Sequence, residues 1–150
     1  KKIIGFDTFE GFPSVSEIDN SKEGMFAENY NTYEELLECI KEYNNNRFLN
    51  NIDKIELVKG DANLTIAEYI EKNKHLLVSL LYLDFDIYEP TKMALKHFLP
   101  RMSKGSIIAF DELHAENWKG ETMAMLESLN IRDCKIESFS FEPNISFIQL

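Results

Sequence analysis

The sequence predicts an α/β fold with a doubly wound, mostly parallel sheet closed by a C-terminal antiparallel strand pair. Three observations carry this. Short apolar runs alternate with helical patterns along most of the chain. Two of the runs, Val78–Leu83 and Ser106–Phe110, are almost unbroken, as in strands covered on both faces of a parallel sheet. Strands that alternate with helices form βαβ units, whose crossovers are right-handed. One domain of 150 residues is the expected unit, since domains typically run to about 100–200 residues.

The elements follow in order. Ile3-Ile4-Gly5-Phe6 is the first strand, ending at Asp7, and the Gly- and Pro-marked stretch 8–30 is a long loop. Thr32 is the expected N-cap of a helix, with Glu35 three positions on completing a capping box. Tyr33, Leu36, Leu37 and Ile40 form its i, i+3, i+4, i+7 stripe, and Asn44-Asn45-Asn46 stops it. A second strand runs over 54–58 toward Gly60-Asp61, followed by a short helix over about 64–73. The strand Val78–Leu83 leads to a helix over about 90–98, with Pro90 near its first turn and Pro100 past its end. After the strand Ser106–Phe110 comes a helix over about 120–129, then two strands over about 135–139 and 146–150, with a turn expected at Pro143-Asn144.

Composition narrows the function. Against 26 Asp and Glu stand 16 Lys and Arg, a formal charge of -10 with no basic patch, which argues against nucleic acid as a partner. The longest uncharged run of apolar character, 76–83, is far short of the ~20 residues of a membrane span, so no membrane association is expected. Cys39 and Cys134 have neither metal-site nor disulfide-framework spacing and read as two reduced cytoplasmic thiols. No signal peptide is evident. The sequence opens on Lys and passes straight into a strand, as a trimmed or partial chain would.

The chemistry gathers at strand ends. Asp7, Asp61, Asp84 and Asp111 each end a strand, and a parallel sheet brings such residues to the one edge where open α/β sheets bind ligands. Aspartate also breaks strands and caps helices, which accounts for Asp7 or Asp61 equally well. Asp84 and Asp111 end the two most apolar strands, which are expected to be neighbours, and Asp86 and Glu112 follow them closely. If extension continues past Asp84, Asp86 points the same way. Carboxylates so crowded raise one another's pKa unless a cation sits among them, and an all-oxygen set selects Mg²⁺, Mn²⁺ or Ca²⁺ over zinc. With Asp84, Asp111 and Glu112 as ligands, Asp86 remains as a general base for a metal-bound hydroxyl. His114 is near enough to join, although a lone His is more often an incidental surface group. Tyr88 and Trp118 are candidates to wall a sugar or aromatic ring, though aromatics so placed are as often core.

The blocks Gly5-Phe6-Asp7-Thr8-Phe9-Glu10-Gly11-Phe12-Pro13, Gly60-Asp61-Ala62, Leu83-Asp84-Phe85-Asp86-Ile87-Tyr88-Glu89-Pro90-Thr91, Gly105 through Phe110-Asp111-Glu112, and Gly120-Glu121 with Ala124 resemble, in this order, the macrocin O-methyltransferase family. Its members are class I, Rossmann-like, S-adenosylmethionine-dependent sugar methyltransferases. The resemblance implies that Asp84, Asp111 and Glu112 hold Mg²⁺, which chelates adjacent sugar hydroxyls, and that Asp86 is the base. It implies that Asp7, with Thr8 beside it, binds the cofactor's ribose and that Asp61 approaches its adenine. The acceptor would be a sugar or glycosylated small molecule. The family's first strand and glycine-rich turn, expected between the strands ending at Asp7 and Asp84, have no counterpart in this sequence, so a piece of a longer protein is expected.

Other readings stand beside this one. Asp84-Phe85-Asp86 fits a haloacid-dehalogenase-type phosphatase, although Tyr88 stands where that motif has Thr or Val, and it also fits a metal-diphosphate site of a glycosyltransferase. A non-catalytic fragment or binding domain with the same fold is the non-enzyme alternative. The sequence carries no signal of oligomeric state.

Overall fold

The computed structural model describes residues 1–27 and 29–150. In chain order the elements are β1 (Ile3–Asp7), α1 (Thr32–Asn45), β2 (Ile55–Lys59), α2 (Ala62–Lys72), β3 (Val78–Leu83), α3 (Tyr88–Phe98), β4 (Met102–Phe110), α4 (Lys119–Ser128), β5 (Ile136–Phe139) and β6 (Glu142–Gln149). The loop expected over 8–30 is present, apart from Glu28, which lies outside the described residues.

The strands form two sheets. β1 and β2 pair in parallel, Ile3 opposite Ile55 and Asp7 opposite Lys59. The second sheet has the order β3-β4-β6-β5, with β3 and β4 parallel and β6 antiparallel to both its neighbours. Parallel pairs with intervening helices and an antiparallel C-terminal pair are the expected α/β arrangement. Among the described residues β1 pairs only with β2 and β3 only with β4, so each keeps one edge without a ladder.

The core lies on one face of the larger sheet. Period-two alternation sends Leu81 and Leu83 of β3, Ile108 and Phe110 of β4, and Ile148 of β6 to that face. Ala62 and Ile66 of α2, Ala94, Leu95 and Phe98 of α3, and Ala124 and Met125 of α4 meet them there. Each of the leucine, isoleucine, phenylalanine and methionine side chains so buried is worth about 1.5–3 kcal/mol. Phe6 joins the small sheet to this core, edge-on to Tyr69 at 5.4 Å and tilted against Phe98 at 5.7 Å.

Several expectations need correction. Strand β3 is not covered on both faces: Leu80 is 61% and Tyr82 46% exposed, because α2, α3 and α4 all pack on the opposite face. The cap of α1 is Asn31, whose side chain accepts the Glu34 N–H, rather than Thr32. The apolar stripe of α1 is real but buries no residue, and Leu36 and Leu37 remain exposed. Helical periodicity states which face is apolar; it cannot state whether a surface exists to receive it. Strand β4 begins at Met102 rather than Ser106, across a register shift near Gly105, whose φ of 88° reads locally as a turn. The hairpin turn falls at 140–141, and Pro143 and Asn144 lie inside β6.

Candidate active site

The parallel ladders deliver the strand-end acids to one edge. The carbonyl of Asp7 accepts the Gly60 N–H at 2.9 Å, and the carbonyl of Leu83 accepts the Asp111 N–H at 3.0 Å. A cavity of about 330 Å³ opens at that edge, lined by Asp7, Thr8, Asp61, Asp84 and Asp86, with Phe9, Phe12, Phe26 and Leu36 among its apolar walls. Asp111 and Glu112 stand outside its lining.

Local hydrogen bonds fix these side chains. Asp7 Oδ1 accepts the Phe9 N–H at 2.6 Å. The Thr8 hydroxyl donates to the Gly11 carbonyl at 2.6 Å and accepts the Glu10 N–H, so it is largely committed to its own turn. Gly11 has a φ of 79°, and a Cβ there would stand 2.7 Å from Ala27 N; only glycine lets the loop fold back, with Phe12 N–H donating to the Met25 carbonyl at 3.0 Å. Asp61 is the N-cap of α2, accepting the Asn63 N–H at 2.9 Å.

The acids beyond β3 and β4 crowd one another. Burial, then the charges of Asp111 and Asp7, pushes the Asp84 carboxyl up. Burial, then the charges of Asp84, Glu112 and Asp111, pushes Asp86 up to about 6. Glu112 rises through burial and the charges of Asp111 and Asp84. This is uncompensated negative charge, and the all-carboxylate donor set is of the chemistry that suits a hard cation. Among the described residues, however, no three His, Cys, Asp or Glu side chains are grouped as metal ligands. Asp111 is instead hydrogen-bonded by the Tyr82 hydroxyl. The expected extension past Asp84 also fails: Asp86 has a φ of 61°, in the left-handed region, so the strand turns there rather than running on.

Three participants escaped the sequence reading: Tyr82, Asp19 and Glu121. Tyr82 alternates away from the buried face, and nothing local tells that Asp111 receives its hydroxyl. Asp19 lies in the long loop, yet its Oδ1 accepts the Tyr88 N–H at 2.8 Å. Glu121, fully buried at the start of α4, accepts backbone N–H groups from both acid-bearing loops. Burial pushes its carboxyl up to about 7, opposed by those hydrogen bonds. An acid in a helix's first turn reads as a solvated dipole partner, so only the Gly120-Glu121 pair marked it. Of the two candidate ring walls, Tyr88 is buried, with its hydroxyl donated to Glu127 at 2.6 Å. Trp118 packs at 5.8 Å from Phe26 and 6.3 Å from Phe12, both cavity-lining rings. His114 is exposed, its backbone N–H bound to Thr122 Oγ1.

Residues 1–133 match the macrocin-O-methyltransferase (TylF) family. The chain belongs to that family. Among solved structures it is similar to the calicheamicin methyltransferase CalS11, with 33% identity and a TM-score of 0.93, over 99% of this chain and 60% of that one. A second structure of CalS11, an apo form described as a TDP-rhamnose 3'-O-methyltransferase of calicheamicin biosynthesis, gives 31% identity and a TM-score of 0.81, over 99% and 58% of the two chains. The O-methyltransferase NovP, at 17% identity and a TM-score of 0.64 over 99% and 59%, shares the fold. The chain thus spans about 60% of the length of CalS11. A search of curated proteins found no match. Membership in the macrocin-O-methyltransferase family displaces the phosphatase and glycosyltransferase readings of Asp84-Phe85-Asp86. Among the described residues no helix is long and apolar enough to cross a membrane.

Proposed function

We propose that this protein is the catalytic part of a cytoplasmic, S-adenosylmethionine-dependent and Mg²⁺-dependent O-methyltransferase whose acceptor is a hydroxyl of a sugar or glycosylated small molecule. The observation that carries the reading is the family match together with one cavity at the strand edge that holds Asp7, Asp61, Asp84 and Asp86. The residues fit a nucleoside-bearing cofactor: the cavity is within the ~300–1,000 Å³ of ligand sites, and it sets the Asp7 and Asp61 carboxylates beside the apolar walls of Phe9, Phe12 and Leu36. Asp7, Thr8 and Asp61 would hold that cofactor, Asp7 through the carboxylate oxygen not bound to Phe9, and Asp84, Asp111 and Glu112 would hold the cation.

The bound groups supply an electrophilic methyl and a Lewis acid that makes the acceptor hydroxyl easier to ionise. The chain's own part is to hold the hydroxyl in line and remove its proton. Asp86, on the cavity wall beside the acids that would hold the cation, is the carboxylate left to accept that proton. Phe9, Phe12 and Phe26 give the cavity an apolar wall.

The unpaired edges of β1 and β3 support a further parallel strand between them, from a part of the protein outside these residues. The exposed face of Leu80 and Tyr82 fits a covering element of the same origin. The experiment is methyl transfer from S-adenosylmethionine to TDP-rhamnose and related nucleotide sugars, with and without Mg²⁺, using this chain and an upstream-extended form. Mg²⁺-dependent transfer lost in Asp84→Asn is the expected result. Absence of S-adenosylhomocysteine binding in both forms overturns the reading.

A further inference from the structure

We propose that Glu121 is the positioning residue that locks the two acid-bearing loops of the site to each other, with Gly120 as the space that lets it do so. The Glu121 side chain is completely buried. Its Oε1 accepts the backbone N–H of Phe85 at 3.1 Å and of Asp86 at 3.4 Å, and its Oε2 accepts that of Glu112 at 3.2 Å. One carboxylate therefore spans the segment after β3 and the segment after β4, touching the backbone next to every acid of the cluster. Few side chains can do this. Glutamine has one acceptor oxygen and an NH₂ that would oppose an N–H, and aspartate is one methylene shorter.

What the clasp holds is a strained turn. Asp86 sits at a φ of 61°, a region that non-glycine residues keep only where their surroundings over-determine it. Glu121 grips it from one side, and on the other Asp19 Oδ1 accepts the Tyr88 N–H at 2.8 Å, while Asp19 Oδ2 is anchored by the Ser16 N–H at 2.9 Å and hydroxyl at 2.8 Å. Helix α4 must come very close for Glu121 to reach. A Cβ on Gly120 would stand 2.6 Å from both the Ile87 carbonyl carbon and Asp19 Oδ1, and it would press on Tyr88 N. The Gly120-Glu121 pair is thus a joint between the long loop, the Asp86 turn and the Glu112 loop. Its meaning for catalysis rests on the methyltransferase reading: it sets the direction of the proposed base and the spacing of Asp84 from Asp111 and Glu112.

The test measures backbone amide exchange at Phe85, Asp86 and Glu112 in the intact protein, with Mn²⁺ and S-adenosylhomocysteine affinities alongside. Glu121→Ala is expected to speed exchange at all three amides. Glu121→Gln, which keeps one acceptor, is expected to speed one loop and spare the other. Gly120→Ala, with Glu121 still present, is expected to speed all three by holding α4 away. In the two Glu121 variants Mn²⁺ affinity should fall by about 10–100-fold, the usual cost of losing support behind a metal ligand, while S-adenosylhomocysteine affinity stays close to wild type. Unchanged exchange at the three amides in Glu121→Ala overturns the proposal, as does an equal fall in both affinities, the mark of general loosening. If the wild-type protein binds neither probe, the methyltransferase reading falls, and the exchange rates alone decide the clasp.

Discussion

The two sheets are held in different ways. The β1–β2 pair is only two strands, a size marginal by itself in water, and the helix between them buries none of its residues. It depends on Phe6, packed against Tyr69 and Phe98, to join the rest. The four-stranded sheet carries three helices on one face and contributes the fully buried Leu83, Ile108, Phe110 and Ile148. The candidate site straddles this division: Asp7 and Thr8 come from the lightly held part, Asp61 stands where β2 passes into the core-packed α2, and Asp84, Asp86, Asp111 and Glu112 come from the packed part. The difference teaches that part of the proposed cofactor site, Asp7 and Thr8, is set by local turn hydrogen bonds with few buried contacts behind it. The proposed proton chemistry is placed where packing and a buried carboxylate hold it still.

Substitutions can break or sharpen that contrast. The largest effect is expected from Asp86→Asn, which should lower methyl transfer by about 10²–10⁴-fold, the usual share of a general base, with S-adenosylhomocysteine affinity unchanged. A variant that keeps its turnover removes Asp86 from that role. Next comes the packed half: Leu95→Ala, at a side chain with no exposure, should cost about 2–5 kcal/mol in denaturant unfolding. The matching change in the other half, Leu36→Ala, should stay within about 0.5 kcal/mol, since Leu36 is 39% exposed. Equal losses at the two positions would abolish the contrast.

Asp61→Ala lies between these, because it removes the cap of α2 and should cost about 0.5–2 kcal/mol as well as weakening S-adenosylhomocysteine binding. Loss of stability with full nucleoside affinity would leave Asp61 as a cap alone.

The smallest effect concerns pH and the small sheet. Lys2 and the Tyr69 hydroxyl hold the Glu56 carboxyl below its ordinary value, against burial, which raises it. A lowered carboxyl contributes stability above its unfolded pKa and loses it as the pH falls through the folded value. Wild type should therefore lose slightly more melting temperature than Glu56→Gln on acidification below about 4.5, by an amount kept small by solvent around the pair. Identical acid profiles would show that the pair contributes nothing.

Much of this was legible in the sequence because it is local or periodic. The order of strands and helices, the acids at the ends of β1, β3 and β4, the Asp61 turn and the family blocks follow from short patterns read in line. The antiparallel close of the chain did too, though its turn lies at 140–141, since Pro143 can sit inside a strand where no ladder needs its missing N–H. What only the tertiary structure decided are relations between segments distant in sequence. No pattern around Leu80 or Tyr82 reveals that their face of β3 is left open, because covering depends on which helices arrive there. No spacing rule brings Asp19 to the Tyr88 amide or Glu121 to Phe85, Asp86 and Glu112. The left-handed turn at Asp86 is likewise held by contacts from two distant segments, the long loop through Asp19 and α4 through Glu121. Local propensity proposes each element, and packing and hydrogen-bond satisfaction across the chain choose how the site's acids face one another.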